Sequence, residues 1–117
     1  MSDQPAMNVS YDPAFTEVNG SIRIDRRSRA TGLSHIVAGF AEWTDATPSE
    51  PWVLPYEEAV FVLEGQLTIE AGDLKVVGRP GELITVEKGT ETVSYATPGT
   101  KVFYASYPGN WKELIEE

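Results

Sequence analysis

The stretch AVFVLEGQLTIEAGDLKVVGRPG, residues 59–81, holds three short apolar runs divided by glycine turns. Residues 59–63 are wholly apolar and Glu64-Gly65 breaks the run. Residues 66–70 alternate in polarity, and Ala71-Gly72-Asp73 turns the chain into residues 74–77, which end at Gly78-Arg79-Pro80-Gly81. Each run is too short for a helix and rich in Val, Ile, Leu and Phe, so it reads as a strand. A turn after every run predicts antiparallel pairing.

The same rhythm continues on both sides. Downstream, residues 83–86 reach Lys88-Gly89, residues 92–95 reach Pro98-Gly99, and residues 102–107 end at Pro108-Gly109. Upstream, residues 52–54 read as extended, and residues 44–51, with Asp45, Pro48, Ser49 and Pro51, as a loop. Residues 33–43 form a longer expected strand containing Ala38 and Gly39, and Ile22 and Ile24 alternate with Arg23 and Asp25 as in a half-buried strand. Residues 1–20 show no sustained period and read as an irregular or partly extended N-terminal arm. Residues 111–117 read as a short C-terminal helix, too short to stand without packing. The pattern is all-β, a sandwich or barrel, with one domain over residues 21–117.

Composition narrows the function classes. A chain of 117 residues should bury roughly two thirds of its unfolded surface, enough for one core. Eighteen acidic residues against nine basic ones give a net charge of −9, which opposes phosphate backbones and anionic lipid. No nucleic acid or membrane partner is therefore expected. The absence of cysteine removes disulfides, thiolate metal sites and thiol nucleophiles. With no long apolar run and no signal-like start, a cytoplasmic location is the expectation. There is no P-loop, G-x-S-x-G elbow or Rossmann fingerprint.

Two segments carry a family resemblance. Glu57-Glu58-Ala59-Val60-Phe61-Val62-Leu63-Glu64-Gly65 resembles the first cupin motif, and Gly81-Glu82-Leu83-Ile84-Thr85-Val86-Glu87-Lys88-Gly89 resembles the second, with Glu87 where that turn usually has proline. Together they imply a double-stranded β-helix, the jelly-roll barrel of cupins. A narrower match joins AGFAEW (38–43), PWVLPYEE (51–58) and YPGNW (107–111). It is similar to the EutQ-type cupins of ethanolamine utilisation and spans roughly residues 33–111, leaving the additional N-terminal region of the larger EutQ proteins unmatched. The resemblance points toward small amine or aldehyde metabolism. An acetate-kinase-like activity is attributed to EutQ-type proteins, and with no nucleotide-binding loop in view it is not carried over to this chain.

Cupins that bind metal use two histidines and a glutamate from the first motif and a third histidine from the second. Aligned on Glu58, those histidine positions hold Trp52, Leu54 and Thr92, or Val93 with a turn one residue longer. Only Glu58 remains. His35, the sole histidine, lies in an earlier expected strand. The expectation is no metal and no cofactor, since open transition-metal sites are built from imidazole and carboxylate together.

Trp52, Leu54, Tyr56, Glu58, Val60 and Val62 share parity and so one strand face. If that face is the barrel interior, burial raises the pKa of Glu58 and suits it to proton transfer near neutrality or to pairing with a cation. If Glu58 sits at the mouth beside Glu57, it is an ordinary solvated acid. Tyr104 lies on the last strand, which in cupins passes beside the cavity, and joins Glu58 as a candidate catalytic residue. Trp52, Leu54, Tyr56, Thr92 and Trp43 are the candidate ligand-binding residues, although aromatic residues also commonly fill a small β core. Arg23, Arg26, Arg27 and Arg29 form the one basic cluster, readable as an anion site, a solvated loop or a set of ion pairs.

The reading is a small-molecule-binding cupin without the metal-ligand histidines, its cavity built around Glu58 and aromatic residues, its ligand an amine or other small metabolite. The alternatives are a non-catalytic metabolite-binding or accessory dimer and a metal-dependent cupin enzyme with unusual ligands. A homodimer is expected, with Ile22 and Ile24 placed to extend a neighbour's sheet edge.

Overall fold

Short apolar runs closed by glycine turns leave strands few options beyond pairing with their neighbours, and ten of them do so in the computed structural model. It describes residues 5–12 and 16–110. The strands are β1 Glu17–Asn19, β2 Ile22–Asp25, β3 Val37–Trp43, β4 Trp52–Val53, β5 Glu57–Glu64, β6 Leu67–Ala71, β7 Leu74–Gly78, β8 Leu83–Val86, β9 Glu91–Ala96 and β10 Lys101–Tyr107. The one helical element among the described residues is a 3-10 turn at Arg27–Ala30. The expected C-terminal helix at 111–117 lies outside the described residues. No helix among them is long and apolar enough to cross a membrane.

The strands form two antiparallel sheets. Six strands run in the order β1-β2-β3-β10-β5-β8 and four in the order β4-β9-β6-β7. The long crossings, β3 to β10 and β10 to β5, make this a jelly roll rather than a meander. The inner faces meet in a core of Ala41, Trp43, Val60, Val62, Leu67, Ile69, Ile84, Ala96, Val102 and Tyr104. On β5 the burial alternates as the parity argument requires, with Val60 and Val62 buried and Phe61 and Leu63 exposed.

Two glycines permit this packing. Gly65 turns β5 into β6 with φ +84°, and a Cβ there would lie 2.2 Å from Thr100 Oγ1. Thr100 is fully buried, and its hydroxyl bonds to the Thr97 carbonyl and receives the Gln66 amide. Gly39, on β3, lets the Asp25–Arg27 backbone cross it, since a Cβ would stand 1.9 Å from the Asp25 carbonyl oxygen.

Three expectations need correction. The strand expected from residue 33 begins at Val37. His35 therefore lies in an exposed loop, its carbonyl accepting from Gly109 N and its Nδ1 3.0 Å from Ser34 Oγ. The arm contains β1, which pairs with β2 through a two-residue turn at Gly20-Ser21. As β2 also pairs with β3, both its edges are taken and Ile22 and Ile24 cannot extend a neighbour's sheet. They pack against the core of their own chain instead.

Candidate functional site

The start of β5 brings Glu58 onto the inner wall. It stands opposite Ser106 of β10 on one side and Val86 of β8 on the other. Ser106 Oγ donates to Glu58 Oε2 at 3.4 Å. Tyr104, opposite Val60, is the diagonal neighbour of Glu58, a relation that places α-carbons roughly 7–8 Å apart. From the second sheet, Trp52 of β4 stands opposite Thr92 of β9, and the Thr92 hydroxyl donates to the Trp52 carbonyl at 3.5 Å. Leu54 is pinned between them and β5, its amide donating to Thr90 O at 3.0 Å and its carbonyl accepting from Gly89 N at 2.7 Å. Solvent reaches Trp52, which is 46% exposed, and fades inward through half-buried Tyr56 and Glu58 to Tyr104 at 9%. Exposure therefore falls from Trp52 inward at the Glu58 end of the barrel.

Burial dominates the electrostatics here. It pushes the Glu58 carboxyl up to about 7, against which the Ser106 hydrogen bond acts in the opposite direction. Burial also pushes the Tyr104 hydroxyl up to about 12. The charges of Arg26 and Arg29 pull it down, while Glu58 and Asp25 add to the rise. The Tyr56 hydroxyl is raised by burial and by Glu58, and lowered by a hydrogen bond from the Trp52 indole and by Arg26. Tyr104 Oη is the one buried side-chain polar atom among the described residues with no hydrogen-bond partner. A buried hydroxyl in that state costs free energy that a bound acceptor would recover.

The structure brings together Trp52, Leu54, Tyr56, Glu58, Thr92 and Tyr104 at this end. It does not bring Trp43. Val37, Ser106 and Glu58 lie level across three strands, and Trp43 is six residues further along β3, roughly 20 Å away. Trp43 is a core residue at the opposite end, and the expectation that it lines this site is corrected. The arginine cluster resolves largely into ion pairs: Arg27 Nη2 meets buried Asp25 Oδ2 at 3.0 Å, and Arg26 meets Glu17. Ser106 stands outside the expected site residues, and Arg26 and Arg29 were expected only as members of the separate basic cluster. Ser106 shares parity with Tyr104, a signal present in the sequence, and Arg26 shares it with Ile22 and Ile24. Arg29 carries no such signal, because the 3-10 turn sets its approach.

The residues at the metal positions of the fold do not fit a metal. Trp52 offers an N–H donor, Leu54 a hydrocarbon, and Thr92 a hydroxyl already donated to a carbonyl, so none supplies the lone pair of a neutral imidazole. Among the described residues no three His, Asp or Glu side chains converge as a ligand group. A cleft of about 590 Å³ lies away from these residues, on the outer face of the large sheet between the arm and β3, with Met7, Leu33, Phe40 and Phe103 in its wall. Its cation, Arg27, is tied to Asp25.

Residues 29–113 match the family described as ethanolamine utilisation protein EutQ. The chain belongs to this family. It is 32% identical over 81 residues to the Escherichia coli (strain K12) protein named acetate kinase EutQ, a match covering 69% of this chain and 34% of that protein. The matched segment thus spans about a third of the length of that relative. The crystal structure of an ethanolamine utilization protein Q from Salmonella typhimurium LT2 superposes with TM-score 0.65 at 27% identity, over 76% of this chain and 71% of that one. An RmlC-like cupin from Shewanella frigidimarina superposes with TM-score 0.69 over 89% of this chain and 93% of that one; its 13% identity makes that a likeness of fold alone. The double-stranded β-helix of a EutQ-family cupin is the fold expected from the two motifs.

Proposed function

We propose that this EutQ-family barrel binds a small metabolite at its Glu58 end without a metal, and that Glu58 is the group around which the ligand is held. The observation that carries the reading is a carboxyl held near pKa 7 on an inner wall that also presents an unpartnered tyrosine hydroxyl. Such a carboxyl exchanges a proton readily at physiological pH, and Trp52, Tyr56 and Leu54 supply the apolar surround that small-molecule sites use. The kinase activity named for the Escherichia coli relative belongs to a protein about twice as long, and an acidic chain with no phosphate loop gives no support for carrying it over.

Carboxyl titration by NMR tests the reading. Glu58 should titrate near 7, and Glu58→Gln should weaken binding of the metabolite while leaving the barrel folded. Glu57→Gln, on the opposite face, should do little. Elemental analysis of the purified protein should find no stoichiometric iron, zinc, nickel or manganese. An ordinary pKa at Glu58 with unchanged binding would sink the proposal, as would one transition metal per chain that is lost in Glu58→Gln. Saturable binding without turnover would identify a binding module rather than an enzyme.

A further inference from the structure

Resting on that reading, we infer that the ligand is a small carbonyl compound, its carbonyl oxygen held by the Tyr104 hydroxyl while Glu58 moves a proton at the adjacent carbon. Three features of the wall carry this. Tyr104 Oη is a buried donor with no acceptor among the described residues, so its natural complement is a ligand oxygen that brings no proton of its own. Glu58 lies diagonally across from it on the neighbouring strand, on the same face of the sheet. Arg26 and Arg29 put positive potential on the same hydroxyl. That field disfavours an ammonium ligand beside Tyr104 and favours an oxygen on which negative charge develops.

The chemistry balances without a co-reactant. The Glu58 carboxylate takes a proton from the carbon next to the carbonyl, and the C–H electron pair becomes the C=C bond of an enolate. The π pair of the carbonyl moves onto oxygen, where the hydrogen bond from Tyr104 stabilises it. Tyr104 keeps its proton, because burial holds its hydroxyl far above neutral pKa. Return of the proton from Glu58 to carbon closes the cycle, and Glu58 exchanges with solvent through the Trp52 end. Ser106, donating to Oε2, orients the carboxyl.

The test is solvent deuterium wash-in, followed by proton NMR in D₂O near neutrality, with pyruvate, acetone and dihydroxyacetone as probes. The full chain should exchange the α-protons of at least one probe ten times faster than buffer. Glu58→Gln should return the rate to that of buffer. Tyr104→Phe should cost about 10²-fold, the usual loss for one oxyanion donor, without lowering the melting temperature, because the hydroxyl has no protein partner to lose. Exchange at the buffer rate with all three probes overturns the inference, and so does undiminished exchange in Tyr104→Phe. The Glu58 carboxyl resonance, followed in the same samples, separates the two levels. A ligand-induced shift without exchange sinks the proton transfer and leaves the binding site standing. An ordinary Glu58 pKa with no shift sinks both.

Discussion

Glu58 moves from the usual 4.5 in the unfolded chain to about 7 in the barrel, and the direction of that move fixes how stability depends on pH. Between those values the folded state binds more protons than the unfolded one, so stability falls as pH rises through the window and levels off above about 7. A shift of this size corresponds to at most about 3 kcal/mol. Glu58→Gln abolishes the titration. The variant should therefore melt close to wild type near pH 4.5 and several degrees higher at pH 8, and parallel melting curves for the two proteins across this range would refute the buried carboxyl. Glu58 was legible in the sequence because its parity with Leu54, Val60 and Val62 places it on a buried face. The charges that act on its neighbour Tyr104 were not. Arg26 and Arg29 reach Tyr104 only because the chain after β2 folds back across Gly39, a long-range arrangement that no local pattern of residues 23–30 encodes.

At the scale of elements, strands bounded by glycine or proline turns were legible to within a residue or two, from β4 through β10. The failures lie where hydrophobicity and pairing part company. Leu33 and Ile36 look like strand residues yet are exposed, because residues 33–36 lead into β3 over the surface rather than pairing with it. Residues 17–19 carry no apolar alternation, being exposed throughout, yet they pair with β2; the Gly20-Ser21 step was the available signal, since a Gly-Ser pair suits a two-residue hairpin turn. Gly39, read in the sequence only as a small strand residue, is the contact on which the Asp25–Ala30 segment rests. Gly39→Ala drives a methyl into the Asp25 carbonyl, which sits on a backbone held by the β2–β3 ladder and the Asp25–Arg27 ion pair. Overpacking of this kind costs about 1–3 kcal/mol. Each kcal/mol lowers the melting temperature of a domain this size by roughly 4 °C or more, so the variant should melt 4–12 °C lower. A melting curve unchanged by the substitution would mean that the crossing is not as tight as the geometry requires.

For the whole molecule, the outer face of the large sheet presents a row that crosses four strands. Phe40, Phe103, Phe61 and Leu83 are direct cross-strand neighbours on β3, β10, β5 and β8, and the last three are exposed. Beside this ridge runs a shelf of Ala38, Ala105, Ala59 and Thr85 in the same four strands. A large-residue row next to a small-residue row is self-complementary: with Phe40 covered by Tyr11 of its own arm, a two-fold axis between the rows lays Phe103, Phe61 and Leu83 of each copy over Ala105, Ala59 and Thr85 of the other. We propose a second copy of this chain as the occupant, paired through the sheet face rather than through β2, whose edges are both filled. Light scattering at micromolar concentration should give twice the 12.9 kDa chain mass. Two chains of charge −9 repel, so added salt should tighten the dimer, whereas an interface built on ion pairs would loosen. Phe61→Glu places a charge in the middle of the row and should yield monomers whose Glu58 titration is unchanged, because Phe61 points away from the interior. A wild-type monomer at these concentrations, or a dimer indifferent to Phe61→Glu, would remove this face as the interface.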